Sequence, residues 1–426
     1  MSTRYVFSQT TVIPDANFEQ VLVDLNIDTN GLNGNILNSD ANVVYFLNVS
    51  HSYIDDLSGI QAFVNLKTLD CSVNNLTHLN IAENIELLEL NVNDNQLASI
   101  NLSQNIKLQV ALLSSNMLNA INISNNLQLK ELGVNLNNLT ELVVTNNLNL
   151  EHLGCYSNDI SNIDLTNNRK LNTLHIGVNN LSTLNISQNT NLQTLTCNEN
   201  NLSEISLNSN AQLTYFDSRY NNISSLDISA NPVLERLFVS DNNLNEVALY
   251  TAPNLKLFYA ENNHLTTLNI CLNSSLKRLK CAGNNLSLVD IRNGNNGDIT
   301  EFEMSQNSNL NCIFVDDASA SYLAHWIIDD TCVFVENESD CEALSTKAFS
   351  LSEISMYPNP TRDSVTFTVN IKSVQLKLFN SSGQLVHSQE LNYGESRVDL
   401  SSYRPGVYLV KMSFGEALEI KKLVIK

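Results

Sequence analysis

The chain has 426 residues, 43% of them hydrophobic, and a formal net charge of −21. No apolar run approaches the roughly 18 residues that mark a membrane-spanning helix, and a body this acidic excludes nucleic acid as a natural partner, because phosphate binding needs positive surface. The charge is also unevenly placed: residues 1–345 hold 13 Lys+Arg against 37 Asp+Glu, a balance of −24, whereas 346–426 hold 10 against 7, a balance of +3, so two separate modules are expected.

At the start, "MSTRYVFSQTTVIPD" lacks the apolar segment of about 7–15 residues that a signal peptide requires, although "VFSQ" is similar to the end of one. Residues 1–11 are therefore read as the remnant of a signal peptide or the mature N-terminus, with the signal peptide itself missing from this chain. Residues 12–43 follow, with an amphipathic helix expected near Asn17–Leu25 and a polar loop after it.

From 44 to 311 the chain repeats itself. Copies of 21 residues begin without a gap at Leu66 and recur eleven times, the last at Leu276. With the first Leu as position 0, position 8 is Asn in every copy, from Asn74 to Asn284, and positions 10, 13 and 15 are aliphatic throughout. Positions 3 and 5 alternate with polar residues, which is the pattern of a short half-buried strand recurring once per coil. A single copy cannot enclose its own apolar face, so neighbours must stack, and the Asn at position 8 is placed to satisfy backbone groups of adjacent coils. Position 18 is Asn in nine of eleven copies; looser turns are expected at the exceptions, Ala252 and Gly294. Cys71, Cys155, Cys197 and Cys281 all occupy position 5 and are expected to be small buried hydrophobes.

The spacing L-x-x-L-x-L-x-x-N resembles the leucine-rich repeat. The resemblance implies a leucine-rich repeat solenoid with a parallel β-sheet on its concave face, capped at both ends. Residues 12–43 are similar to the N-terminal cap of secreted bacterial members, in which the loop often reads like a calcium-binding EF-hand. Asp28, Asn30, Asn33 and Asp40 would then be the ligands, but Leu32 is an insertion and the closing acid is Asp, so an ordinary polar turn fits better. Residues 312–345 resemble the C-terminal cap of the same proteins. That resemblance implies a Cys312–Cys341 disulfide, with Trp326 closing the core and an oxidising compartment; it leaves Cys271 and Cys332 unassigned.

Past residue 346 the repeat gives way to alternating strands and turn residues, the pattern of a small antiparallel Ig-like β-sandwich. Four elements stand out: Tyr357-Pro358-Asn359-Pro360, the turn at Gly383, Gly406-Val407-Tyr408, and a terminal segment opening on Lys421-Lys422. Together they resemble the type A C-terminal sorting domain of the type IX secretion system. The resemblance implies the secretion machinery as a partner and a destination outside the outer membrane, released or attached to the surface.

His152 and His175 fall at positions 2 and 4 of adjacent copies, and no nucleophile accompanies them, so surface histidines are the expectation. No catalytic residue and no firm metal site is assigned. Function must then lie in what varies from coil to coil. Coils about 4.8 Å apart give a concave surface on the order of 55 Å long, suited to a protein or glycan ligand. Variation concentrates at Tyr215, Arg219, Arg236, Phe238, Tyr259, Arg278 and Lys280, a basic and aromatic patch on an acidic body. Asp217, Glu235 and Glu261 are the acids that would neutralise it. The reading is an exported, non-enzymatic recognition or adhesion protein; the alternatives are the targeting arm of a glycan-active enzyme and a structural surface-layer component.

Overall fold

The structure, a computed structural model, describes residues 9–344, 354–369, 374–380, 382–392, 394–414 and 417–426. Residues 1–8, most of the segment read as a signal-peptide remnant, and residues 345–353, around the expected module boundary, lie outside the described residues. The chain divides into two compact units, Met1–Glu338 and Ser339–Lys426.

The first unit opens with a short antiparallel pair, Thr10–Val12 with Asn35–Leu37, around a helix at Ala16–Asp24. Asp15 caps that helix: one carboxylate oxygen accepts from the N–H groups of Asn17 and Phe18 at 2.9 and 3.0 Å, and the other accepts from Asp55 and Asp56 at 2.8 and 3.0 Å. A single side chain thereby satisfies orphan donors of the helix and ties it to the first coil. Phe18 and Leu22, on the apolar stripe, are buried against that coil.

Thirteen parallel strands of three residues then form one continuous sheet, from Phe46–Asn48 to Glu301–Glu303. The middle residue of each is position 3, whose side chain enters the core, and the flanking positions 2 and 4 turn outward. Position 8 works as expected. The Asn158 amide donates to the carbonyls of Val134 and Cys155 at 3.0 and 3.1 Å and accepts the N–H of Leu139 at 3.0 Å. The same pattern runs from Asn74 through Asn284 and on to Asn307, each side chain binding the preceding coil. To aim that amide inward the chain must turn sharply one residue earlier. Eleven non-glycine residues at position 7, from Val73 to Gln306, hold φ between 51 and 58°. This left-handed region costs an L residue roughly 1–2 kcal/mol, and a β-branched one such as Val178 suffers most.

Position 18 forms a second ladder. Asn168, for example, donates to the carbonyls of Val144 and Asn147 at 3.0 and 2.9 Å. At Ala252 no amide is present, and a 3₁₀ turn at Leu249–Thr251 closes the coil over a fully buried methyl. At Gly294 the preceding Asn293 supplies the bond, to Asn273 at 3.1 Å, so the ladder bends around that coil instead of ending there.

The C-terminal cap contains more regular structure than the sequence showed. Cys312–Phe314 and Val333–Val335 continue a second parallel sheet begun by Thr267–Asn269 and Leu288–Asp290, at positions 12–14 of the coil. Trp326 stacks on Phe302 with centroids 4.2 Å apart and meets Phe334 edge-on at 5.7 Å, which closes the apolar end of the solenoid. Cys312 and Cys341 are disulfide-bonded, the only two of the eight cysteines not free. The position-5 cysteines are fully buried, and burial pushes the Cys155 thiol up to about 12. Cys332 is buried and free, its thiol raised to about 11 by burial and by Asp329; Cys271 is exposed.

The second unit packs two antiparallel sheets face to face. One holds Ser355–Tyr357, Ser364–Val369 and Gly394–Asp399; the other, in spatial order, Leu385–Leu391, Val374–Phe379, Gly406–Phe414 and Ala417–Ile425. Inward alternates such as Phe367, Leu376, Val410 and Leu423 make its core.

Two opposite outcomes are expected in adjacent coils. Asn158→Ala, which leaves the buried Leu139 N–H unpaired while Val134 and Cys155 keep the amides of Asn137 and Asn179, should lower unfolding free energy by about 2 kcal/mol; Val178→Asn, which puts a residue tolerant of left-handed geometry at position 7, should raise it by about 1 kcal/mol. Denaturant titration of both variants checks the pair. The Cys312–Cys341 bond closes a loop of about 30 residues, worth about 3.5 kcal/mol by loop entropy. Reduction should raise hydrogen exchange in 312–341 and leave the central coils protected, since coil stability is local.

Candidate functional site

One-to-one parallel register sets the concave face. It aligns Tyr215 with Arg236, Phe238 with Tyr259, and Tyr259 with Lys280, so that side chains spaced 21 residues apart in sequence become neighbours. Three rings form a row: Tyr215 to Phe238 at 5.4 Å and Phe238 to Tyr259 at 5.1 Å between centroids. Basic groups lie over them, Arg219 over Phe238 at 5.4 Å, Arg236 over Tyr215 at 6.0 Å and Lys280 over Tyr259 at 5.2 Å. Phe238 is only 8% exposed, so it supports its neighbours while Tyr215 and Tyr259 present partly open rings.

Most of the positive charge is spent within the patch. Arg219 makes a bidentate pair with buried Asp217, 2.6 Å at the shorter contact, and Lys256 binds Glu235 at 2.8 Å, as anticipated. Glu261 instead accepts the hydroxyl of Ser240. The acid missing from the sequence reading is Glu301. It takes Lys280 at 2.5 Å, Arg278 at 3.5 Å and the Tyr259 hydroxyl at 3.2 Å, and the Lys280 contact above all holds its carboxyl below the usual range. The pattern hides it because Arg278 aligns with Glu301 across 23 residues, two more than the repeat length; the available signal was Phe302-x-Met304-x-x-Asn307, which restates positions 3, 5 and 8. Arg236 is exposed and, among the described residues, has no carboxylate within ion-pair distance. It is the free charge of the patch.

The other sequence candidates are dispersed. His175 is half-buried, its Nδ1 3.0 Å from the Thr196 hydroxyl, and burial together with His152 lowers its pKa. In the N-terminal loop, Glu19 accepts the N–H groups of Asn33, Gly34 and Asn35 at 2.7, 2.6 and 3.1 Å, and Asp40 accepts the Thr29 N–H and hydroxyl at 3.0 and 2.6 Å. Asn33 accepts the Asn35 N–H at 3.1 Å. Of the four oxygen donors proposed for calcium, only Asp28 Oδ2 and Asn30 Oδ1 are buried without a partner. Calcium takes six to eight oxygens, and a loop whose remaining carboxylates serve its own backbone does not fit it.

The sorting elements, by contrast, converge. Asn359 donates to the Lys422 carbonyl at 2.7 Å and accepts the Val424 N–H at 2.9 Å, while Thr361 donates its N–H to the Val424 carbonyl at 2.9 Å and accepts the Lys426 N–H at 2.8 Å. Lys421 reaches the Ile354 carbonyl. Tyr357 donates to Glu395 at 2.7 Å; Tyr408, on the strand opened by Gly406, donates to the Arg404 carbonyl at 2.9 Å. Gly383 sits at φ +80°, in the tight turn that Asn380 braces. Pro358 and Pro360 flank Asn359, so the Pro-Asn-Pro motif and the terminal lysine segment are one object in space, not two.

With this geometry in place, similarity to known proteins defines both units. The solenoid has the fold of leucine-rich repeat proteins: the functional domain of InlJ from Listeria monocytogenes superposes with a TM-score of 0.64 at 20% identity, covering 98% of this chain and 99% of that one. Internalin InlF of the same organism gives 0.54 at 20% identity, covering 75% and 92%, and a leucine-rich repeat protein of Leptospira interrogans gives 0.50 at 22%, covering 71% and 82%. Residues 355–426 match the family "Secretion system C-terminal sorting domain", so the C-terminal unit carries a secretion sorting domain. Ulvan lyase NLR42 of Nonlabens ulvanivorans is 29% identical over 72 residues; the match spans 16% of this chain and 14% of that protein. No helix among the described residues is long and apolar enough to cross a membrane.

Burial, then the charges of Glu19 and Asp40, raises the pKa of Asp28. Its folded value lies above the unfolded one, so its favourable contribution is complete below the ordinary value of 3.8 and is lost as pH rises through the folded value. Asp28→Asn should therefore raise the thermal midpoint at pH 7, with the gain vanishing as the pH falls below about 4.

Proposed function

We propose that this is an exported, non-enzymatic recognition or adhesion protein that binds a protein or glycan ligand on the concave face of its solenoid, at Tyr215, Arg219, Arg236, Phe238, Tyr259, Arg278 and Lys280. The sorting domain supplies export through the type IX machinery, ending in release or attachment at the outer surface. The observation that carries the binding reading is Arg236: one exposed guanidinium on a row of rings, without an ion pair among the described residues, in a patch whose other bases are held by Asp217, Glu235, Asp298 and Glu301. Paired bases gain little from each other in water, so a ligand at this patch meets a row of rings with Arg236 as its free positive charge. Aromatic rings beside arginine dominate binding energetics in protein interfaces, and the open shape of the face suits a polymer better than a small molecule.

A glycan array together with a pull-down from cell-surface extract would supply ligands to test. Arg236→Ala combined with Tyr259→Ala should then weaken binding at least tenfold, about 1.4 kcal/mol, with the thermal midpoint nearly unchanged. Undiminished binding by that variant, together with a loss on changing Glu89 and Asn91 in the early coils, would move the site to the other end of the face. Concentration-dependent assembly of the purified solenoid without any ligand would favour a surface-layer role instead.

A further inference from the structure

In a two-sheet sandwich each strand sends alternate side chains to the core and to solvent, and the solvent side is ordinarily polar. The three-stranded sheet of the sorting domain obeys this. Its outward pairs are Ser364 with Asp399, Thr366 with Arg397 and Thr368 with Glu395. The four-stranded sheet does not. Strand register sets Val407 beside Val424 and Phe379 beside Leu409, while Ile420 lies next in line to Lys411. Val407, Leu409 and Ile420 are 44, 47 and 57% exposed. Lone exposed aliphatics need no explanation, but a contiguous strip across three strands does.

Three lysines stand on the same face. Lys377 pairs with Lys411 and Lys422 with Leu409, so the charges punctuate the apolar strip. None of the three has a carboxylate within ion-pair distance among the described residues, whereas Lys421, on the inward alternate, is tied to Glu419 and to the Ile354 carbonyl. Like charges placed opposite one another on a sheet are destabilising. Folding therefore accounts for Tyr408, Leu423 and Ile425 within the sorting elements, and for nothing on this side of the same strands.

We infer that the outer face of the four-stranded sheet is the surface by which the sorting domain is recognised, and that its occupant is a protein of the export machinery presenting an apolar strip rimmed by carboxylates. The inference rests on reading 346–426 as a sorting domain and adds which surface does the work. Charge complementarity favours an acidic partner: this module carries +3 while the rest of the chain carries −24. A sheet face whose exposed apolar residues are mainly Val, Leu and Ile favours a protein surface over a bilayer, where interfacial faces carry Trp and Tyr.

The test uses the full chain, expressed behind a signal peptide in a bacterium with type IX machinery, and measures protein in the medium and on the cell surface. Lys377→Glu, Lys411→Glu and Lys422→Glu together should cut export at least tenfold, as should Leu409→Ser with Ile420→Ser; the corresponding triple Arg variant should be exported normally. Melting curves of the purified variants must match the parent, which separates lost recognition from lost folding. Deletion of 346–426 is the control: normal export of the deleted chain would sink the sorting reading itself, whereas blocked export of the deletion with normal export of the triple Glu variant would overturn this surface alone. Two further results would also overturn it. One is cosedimentation of the parent with phosphatidylglycerol vesicles that the triple Glu variant lacks, making the face a lipid surface; the other is a dimer of the parent that the variant cannot form, making a second copy the occupant.

Discussion

The whole solenoid depends on one side-chain amide. At the end of each concave strand the backbone must leave the sheet without exposing unpaired groups to the core, and the Asn at position 8 meets three of them at once, donating to carbonyls of its own and the preceding coil and accepting an N–H from the latter. An unpaired buried donor costs about 1–3 kcal/mol, so twelve consecutive coils without this residue would lose more than the few kcal/mol by which a domain is stable. The left-handed turn at position 7 is the strain that this arrangement requires, and it is tolerated even at Val73 and Val178 because the amide bonds outweigh it.

From that constraint the layout of the concave face follows. With each coil locked to the last, parallel register is uniform, and residues 21 apart stand in columns one strand spacing apart. The row from Tyr215 to Tyr259 and the cations over it exist because the ladder holds three successive coils in phase. The same rigidity fixes Glu301 under Lys280 and Arg278 and leaves Arg236 alone.

Much of this was legible in the sequence because its cause is local. The period of 21, the inward columns and the buried cysteines are each set by residues whose spacing repeats, whereas the closing role of Trp326 came from the resemblance to a C-terminal cap. What escaped was produced by departures from period. The coil between Arg278 and Glu301 has two extra residues, so counting by 21 misses the acid that neutralises the end of the patch. The second sheet at positions 12–14 is formed by backbone pairing of Thr267–Asn269 with later coils, for which an alternation of only three residues gives no signal. In the sorting domain the elements were readable one by one, but their union through Asn359 joins positions 63 residues apart, a distance that only folding closes.

The two-residue excess near Gly294 also bears on how such a chain can change length. Between Leu66 and Leu276 the coils are interchangeable in frame, so recombination that duplicates or removes 21 codons there returns each side chain to its column and lengthens or shortens the concave face while sparing both ends. A crossover that aligned the 23-residue coil with a regular one would displace strand positions by two and misplace the Asn amide, and its product would fail to stack. A chain that gained or lost 21-residue coils ahead of Gly294 would keep Glu301, Trp326 and the disulfide-closed end in their present geometry.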